Sequence, residues 1–168
     1  MCNRTITISL SVTELMLSIA SSMHVMSDAL IEDDDSHLQH IYRDVLDGVN
    51  LHLTVRYIDR AYSDCVNLLH SLTQEPVAED YTLTDSLKIP ESYEVHLLVD
   101  ERFSNAQALS LKNLLHDYIV YFAVYQWLTL IGAQTQSECA EILANLREKI
   151  TQTADSQQKI GRIKPFFG

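Results

Sequence analysis

The sequence is poor in the residues that build loops, disulfide frameworks and phosphate-binding turns. Its 168 residues include only 4 Gly, 3 Pro and 3 Cys. So few glycines leave little room for a loop-rich fold or for a loop that cradles phosphate. The cysteines, Cys2, Cys65 and Cys139, are odd in number, far apart, and outside any C-x-x-C motif. This pattern argues against a disulfide framework and against a metal or redox pair, and it favours reduced thiols in a protein made in the cytosol.

Long apolar runs are missing as well. Residues 1–17 include Arg4 and Glu14 and contain no continuous apolar core, so we expect no signal peptide. The most apolar stretch, residues 118–131, is too short to span a bilayer and contains Gln126. It therefore predicts a buried helix, and we expect no membrane partner.

Positive charge is scarce. The sequence has 12 basic and 23 acidic residues, which gives a formal net charge of -11. Free nucleic acid and anionic membranes are poor partners for such a surface. The basic residues Lys159, Arg162 and Lys164 lie in a C-terminal segment, 156–168, that has no acidic residue, which leaves -14 for residues 1–155. An acidic body with a basic, aromatic-ended tail indicates that the tail contacts another molecule; a frayed chain end is the alternative.

Apolar spacing predicts about four helices in a single domain, residues 1–155. The first covers about 12–31 and the second begins near Ser36, with Leu38, Ile41, Val45 and Val49 facing inward. Two further helices follow at about 104–132 and 137–155. Serine followed three residues later by Glu or Gln predicts capping boxes at Ser11 and Ser104, and Gly132 suits a left-handed C-terminal cap.

Residues 49–57 fit two interpretations. Apolar residues alternate there after the turn signal Asp47-Gly48, which is typical of a strand. Helical spacing, however, continues from Leu53 to Leu72 for about five turns. We therefore predict a helix that kinks at Gly48 and ends before Pro76.

In two segments apolar and polar residues alternate, which is the period of an extended chain. Residues 5–10 alternate and predict a short extended arm, and a second arm is predicted at about 81–101. In that second arm a turn at Pro90 joins two short alternating runs, which predicts a β-hairpin or a pair of extended arms. An isolated hairpin is marginal in water, so this arm should pack on the helices or contact a neighbouring subunit. The contact residues would be its apolar positions, Tyr93, Val95, Leu97 and Val99.

The best candidate for chemistry is the acidic run Asp33–Asp35 followed by His37 and His40. Two histidines three apart on a helix, with a carboxylate, could hold zinc. The alternative is an exposed, polar helix start, and we favour it because no H-E-x-x-H or related motif is present. We predict no metal, no cofactor and no catalytic residue. The other histidines considered are expected at the core edge or the surface: His52, His70, His96 and His116.

Aromatic residues are concentrated in the third predicted helix. Tyr118, Phe122 and Tyr125 share one stripe, whereas Tyr121 and Trp127 point elsewhere. Two aromatic faces indicate either a central, deeply buried helix or a face used by partners. We favour central burial.

Three stretches carry a resemblance to a known family. They are the acidic helix start at 33–41, the segment Leu87-Lys88-Ile89-Pro90, and the apolar helix with His116-Asp117-Tyr118 and Gln126-Trp127-Leu128. Together they resemble the head-to-tail connector, or neck ring, proteins of tailed bacteriophages, of the kind found in phages and prophages of Bacteroides-type gut bacteria. The resemblance extends from Ser11 to Pro165.

The resemblance implies a non-catalytic subunit of the virion neck, assembled in the host cytoplasm. Copies of the chain would form a ring, commonly twelve-fold, that binds the portal protein and other neck or tail proteins. DNA would pass through the ring without sequence-specific binding. Portal docking would fall to the tail, through Lys159, Arg162, Lys164, Phe166 and Phe167. The alternative function is a non-catalytic, acidic helical regulator that binds a basic protein through its Asp33–Asp35 edge.

Overall fold

The computed structural model describes residues 3–29, 44–73 and 89–161. Within these ranges it contains four helices and two strands, so the predicted mainly helical class is confirmed. The elements in chain order are β1 (Asn3–Ser11), α1 (Val12–Ala29), α2 (Gly48–Leu68), β2 (Ser92–Asp100), α3 (Asn105–Ile131) and α4 (Gln136–Gly161). No helix in the described ranges is long and apolar enough to cross a membrane.

The two strands form one antiparallel sheet. Pairing runs from Asn3 opposite Asp100 to Ser11 opposite Ser92. Side chains alternate between the faces of a sheet, and here one face is apolar and packs on the helices. That face is composed of Ile6, Ile8, Leu10, Tyr93, Val95, Leu97 and Val99. The other face is mostly polar and is formed by Thr5, Thr7, Ser9, Glu94, His96 and Leu98.

The arm at 81–101 differs from the prediction in its pairing. Residues 92–100 do form a strand, but its partner is β1 rather than a run just before Pro90. The sheet therefore joins segments that are distant in sequence, which a local alternation pattern does not reveal. Residues 81–88 lie outside the described part of the chain.

Helix α1 confirms the first helical prediction. Its apolar residues Leu15, Ile19 and Met23, which share one face of the helix, are fully buried. At its start the Ser11 hydroxyl accepts a hydrogen bond from the Glu14 backbone N–H, with 3.5 Å between nitrogen and oxygen. This is the serine half of the predicted capping box, and it satisfies one of the free N–H groups of the first turn.

Helix α2 confirms that residues 49–57 are helical and that the helix ends before Pro76, but its start differs from the prediction. Gly48 begins the helix with a φ of +46° instead of kinking a longer one. Val49, predicted to face inward, is 85% exposed because it lies in the first turn, whereas Val45 in the preceding turn is buried as predicted. The helix ends at Leu68, and the Leu72 carbonyl beyond it accepts a hydrogen bond from the Leu98 N–H of β2 at 2.8 Å. Most of the helix predicted from Ser36, including Leu38 and Ile41, lies outside the described residues.

Helix α3 is central and contacts the other three helices as well as β1. Its start has both hydrogen bonds of the predicted Ser104–Gln107 capping box, and Gly132 closes its end in the left-handed conformation with a φ of +68°. Tyr118 and Trp127 are both almost completely buried, although they lie on different faces of the helix. Central burial of the aromatic helix is thus confirmed.

Helix α4 confirms the last helical prediction and packs against α3 through the buried residues Leu146 and Ile150. Ile142 is 36% exposed, so the apolar stripe is weaker near the start of the helix. The backbone remains helical to Gly161. The tail predicted to be extended from residue 156 is therefore helical over 156–161, and residues 162–168 lie outside the described part.

A buried threonine joins three parts of the fold. The Thr54 hydroxyl donates to the Val45 carbonyl, with 2.6 Å between the oxygens, and accepts from the Trp127 Nε1–H at 3.1 Å. Trp127 also meets Tyr57 edge-to-face, with ring centroids 5.9 Å apart. Because Thr54 has no exposed surface, loss of its hydroxyl would leave a buried donor and a buried acceptor unsatisfied.

We expect Thr54→Val to lower the free energy of unfolding by about 2 kcal/mol, since a buried polar group left without a partner costs about 1–3 kcal/mol. Urea denaturation followed by circular dichroism measures the change. Thr151→Val is the matched control, because its hydroxyl bonds only to the preceding turn of α4 near the surface. An equal loss of stability in the two variants would contradict the account.

Candidate functional site

The predicted docking tail lies largely outside the described residues. Arg162, Lys164, Phe166 and Phe167 are not among them. Lys159 belongs to the last turns of α4, where the backbone is helical. The helical chain continues seven residues beyond the buried Ala154, a rise of about 10 Å. The segment from Lys159 to Phe167 thus begins within the last turns of α4.

The side chains named for a contact with a neighbouring subunit lie in the core of their own chain, so the strand packs on the helices, which is the other predicted alternative for this arm. Tyr93, Val95, Leu97 and Val99 are between 0% and 8% exposed, because they form the sheet face that packs on the helices. Their alternation was correctly assigned to a strand, but the apolar face of that strand belongs to the core of its own chain. Within the described residues, the opposite face of the sheet and the outer edge of β1 remain open to a neighbouring molecule.

The acidic and histidine cluster, Asp33–Asp35 with His37 and His40, lies outside the described residues. Among the residues that the structure does describe, no three His, Cys, Asp or Glu side chains form a group that could hold a metal ion. The histidines expected at the core edge or surface are there: His52 and His70 are exposed, and His96 and His116 are half-buried.

Two tyrosine–aspartate pairs attach α2 to its neighbours. The Tyr93 hydroxyl donates to the Asp59 carboxylate, which joins β2 to α2. The Tyr118 hydroxyl donates to the Asp64 carboxylate at 3.0 Å, which joins α3 to α2. Burial raises the pKa of both tyrosines, and each hydrogen bond to a carboxylate raises it further. Both phenols therefore remain protonated donors at neutral pH and serve as structural links.

Sequence reasoning did not find these pairs. Asp59 and Asp64 look like ordinary solvent-facing residues of a helix, and their partners lie 34 and 54 residues away in sequence. A weak signal was present, because Tyr93 and Tyr118 occupy apolar stripes, and a buried tyrosine hydroxyl needs a partner. The sequence does not say which carboxylate supplies it.

The thiols of Cys65 and Cys139 are buried and free. Burial raises the pKa of each, and the neighbouring carboxylates of Asp64 and Glu138 add to the effect. Thiolate is the reactive form of cysteine, so both groups are poor nucleophiles and poor metal ligands in the folded chain. They act as small apolar side chains of the core.

A serine–histidine hydrogen bond joins α1 to α3. Ser18 Oγ and His116 Nε2 are 3.1 Å apart, and both side chains are half-buried. A nucleophilic serine needs a histidine that is itself oriented by a third group. Within the described ranges no hydrogen bond orients the other ring nitrogen of His116. The pair is therefore a link between helices.

A cleft of about 380 Å³ lies between the end of β1 and α3. Its polar lining includes both signs of charge and several hydroxyl groups; the residues are Ser9, Leu10, Ser11, Glu14, Lys112, Asn113 and His116. Three consecutive residues of its lining, Ser9 to Ser11, form the end of β1, so the cleft lies beside that end of the strand.

Comparison with known proteins adds no relative: no family model, no curated protein and no solved structure matches this chain. The functional argument consequently rests on the residues and their geometry.

The raised tyrosine pKa values give a prediction for alkaline pH. A phenol whose pKa is higher in the folded state than its ordinary value near 10 contributes stability below that pH and loses it as the pH rises further. We expect the free energy of unfolding to fall above about pH 10, and Tyr93→Phe with Tyr118→Phe to reduce this fall. Urea denaturation at a series of pH values provides the measurement.

Tyr121→Phe is the control for this experiment, because Tyr121 is on α3 but belongs to neither tyrosine–aspartate pair. It should keep the alkaline loss of stability. An unchanged pH dependence in the Tyr93 and Tyr118 double variant would show that the two phenols do not link folding to pH.

Proposed function

We propose that this chain is a non-catalytic structural subunit of a bacteriophage neck, which assembles as a ring on the portal protein and lets DNA pass to the tail. The proposal rests on one observation: tyrosine, cysteine and threonine side chains, which could take part in chemistry, are bonded or buried within the fold. Tyr93 and Tyr118 are bound to carboxylates, the two described thiols are buried, and the hydroxyl of Thr54 is bound twice in the core. These groups hold the fold together, as expected of an assembly subunit.

Charge supports the same function. A wall with net negative charge does not retain the phosphates of DNA that moves past it, whereas a basic wall would hold them. The body carries the acidic excess, and the basic residues Lys159, Arg162 and Lys164 are collected after the core-forming part of α4. This separation suits a subunit with a weakly interacting channel wall and one docking segment.

The apolar end of the docking segment supports a protein partner. Phe166 and Phe167 come after the last of the three basic residues, Lys164, and are separated from it by Pro165. Aromatic side chains that enter a pocket of a partner are frequent anchors of protein interfaces. In this proposal the portal supplies the pocket and an acidic rim, and the virion neck is the location of the assembled protein.

Deletion of residues 159–168 should abolish copurification with the portal protein of the phage that encodes this chain, and should leave the fold intact. The expected loss follows from removal of both the basic residues and the aromatic anchors. Coexpression with a tagged portal, followed by affinity purification and negative-stain imaging, measures binding and ring formation together.

A finer variant separates charge from hydrophobic contact. Replacement of Lys159, Arg162 and Lys164 by Ser should weaken binding in a salt-dependent way. The matched control replaces three exposed basic residues of the body, Arg102, Lys112 and Lys149, and removes the same charge. Portal binding that survives the deletion, or that the control reduces equally, would refute docking through the tail.

A further inference from the structure

The outer edge of β1 has backbone hydrogen-bonding groups that bond to no backbone group in the described part of the chain. On β2, the Leu98 N–H donates to the Leu72 carbonyl and the Glu94 carbonyl accepts from the Tyr62 hydroxyl, so the backbone groups of these two residues point away from β1. In an antiparallel pair, two residues that lie opposite each other behave alike. Either both direct their backbone N–H and carbonyl groups toward the other strand, or both direct them away from it. The residues opposite Leu98 and Glu94 are Thr5 and Ser9.

It follows that Thr5, Thr7 and Ser9 direct their N–H and carbonyl groups away from β2. No other described strand pairs with this edge, and the side chains of all three residues are exposed. The two edges of the sheet therefore differ. The outer edge of β2 is bound by Leu72 and Tyr62, whereas that of β1 has no backbone partner in the described part of the chain.

The exposed edge also lacks the features that usually prevent strand addition. Proteins protect such edges with charged side chains, proline, bulges or short strands. Residues 5–11 contain no charge, no proline and no glycine, and the pairing with β2 runs over nine residues without a bulge. Thr5, Ile6, Thr7 and Ile8 are all β-branched, which favours the extended conformation. The edge is suited to receive another strand.

We propose that β1 pairs with β1 of a second copy of this chain, antiparallel and about a two-fold axis at Thr7, to form a four-stranded sheet. In this register Thr7 faces Thr7 of the second copy, and Thr5 faces Ser9. Each of these residues uses both of its outward backbone groups, and hydroxyl side chains face one another across the junction. A two-fold contact needs one self-complementary surface, which this strand provides.

Charge favours a second copy at this edge. The chain has a net charge of -11, so most contacts between two copies bring acidic surfaces together. Residues 4–11 contain no acidic residue, and their single charge, Arg4, comes opposite the uncharged Leu10 in the two-fold register. The cleft beside that end of β1 has one charge of each sign, Glu14 and Lys112, so the incoming strand meets no net like charge.

This contact is independent of the proposed neck ring. A two-fold contact pairs two copies and does not by itself close a cyclic ring, which needs head-to-tail contacts. The pairing concerns the free chain, in which β1 would otherwise present its edge to solvent. It involves residues 3–11, whereas the proposed portal contact involves residues 159–167.

Sedimentation equilibrium of the full chain over a dilution series tests the proposal. We expect a monomer–dimer equilibrium, and we expect Thr7→Lys to weaken it by roughly fivefold or more, because it places two like charges opposite each other at the axis. Leu98→Lys is the matched control, since it adds the same charge to the same sheet face but on β2, which takes no part in the proposed contact. It should leave the equilibrium unchanged.

A cross-link gives a second readout. Opposed residues of an antiparallel pair lie about 5.5 Å apart at Cα, within the range of a disulfide. In a Cys2→Ser background, Thr7→Cys should form a disulfide-linked dimer on mild oxidation, and Leu98→Cys should not. A monomeric parent chain at every concentration, a Thr7→Lys variant that dimerises as well as the parent, or equal cross-linking at the two positions would overturn the proposal. Portal binding by monomeric Thr7→Lys would leave the proposed function standing.

Discussion

The fold depends on one constraint, which is that helix α3 must be covered on several sides. Its buried residues include Leu111, Tyr118, Val124 and Trp127, which do not fit within a single stripe of a helix. A surface helix exposes a polar face, whereas a helix that is apolar on most of its circumference must be surrounded. Helices α1, α2 and α4 and strand β1 provide that cover.

A few hydrogen bonds between side chains fix the position of the elements that surround α3. Thr54 with Trp127 and Asp64 with Tyr118 set α2 antiparallel to α3, and Asp59 with Tyr93 holds the same helix to the sheet. Apolar burial supplies most of the stabilisation but is non-directional. Hydrogen bonds at defined positions determine the register between elements, since a shift would leave buried donors and acceptors unpaired. Helix α2 is therefore the element that orients the rest of the molecule.

The sequence predicts the elements better than it predicts their contacts. The caps at Ser104 and Gly132 are local, because each depends on residues within one or two turns, and both were identified correctly. The partner of β2 was not, because α1 and α2 lie between the two strands in the chain and alternation does not encode pairing. The last residue of α2 is not predictable for a related reason: the apolar period continues to Leu72, but the carbonyl of Leu72 bonds to β2.

The candidate site was predictable only in part. The basic and aromatic composition of the tail is visible in the sequence, and its connection to α4 fits a segment that extends from the body. The residues expected to contact a neighbouring subunit, such as Val95 and Leu97, are in the core, because a strand with one apolar face buries that face in its own chain when helices are available. The exposed backbone of β1 could not be inferred, since an edge is defined only after the strands are paired.

The central claim is that this protein acts by assembly and not by catalysis. The most direct measurement is affinity purification of the tagged chain from its native source, with the partners identified by mass spectrometry and the complex imaged by negative stain. The account predicts rings of this chain attached to a portal. A monomer bound to a single basic regulatory protein, with no portal present, would contradict it.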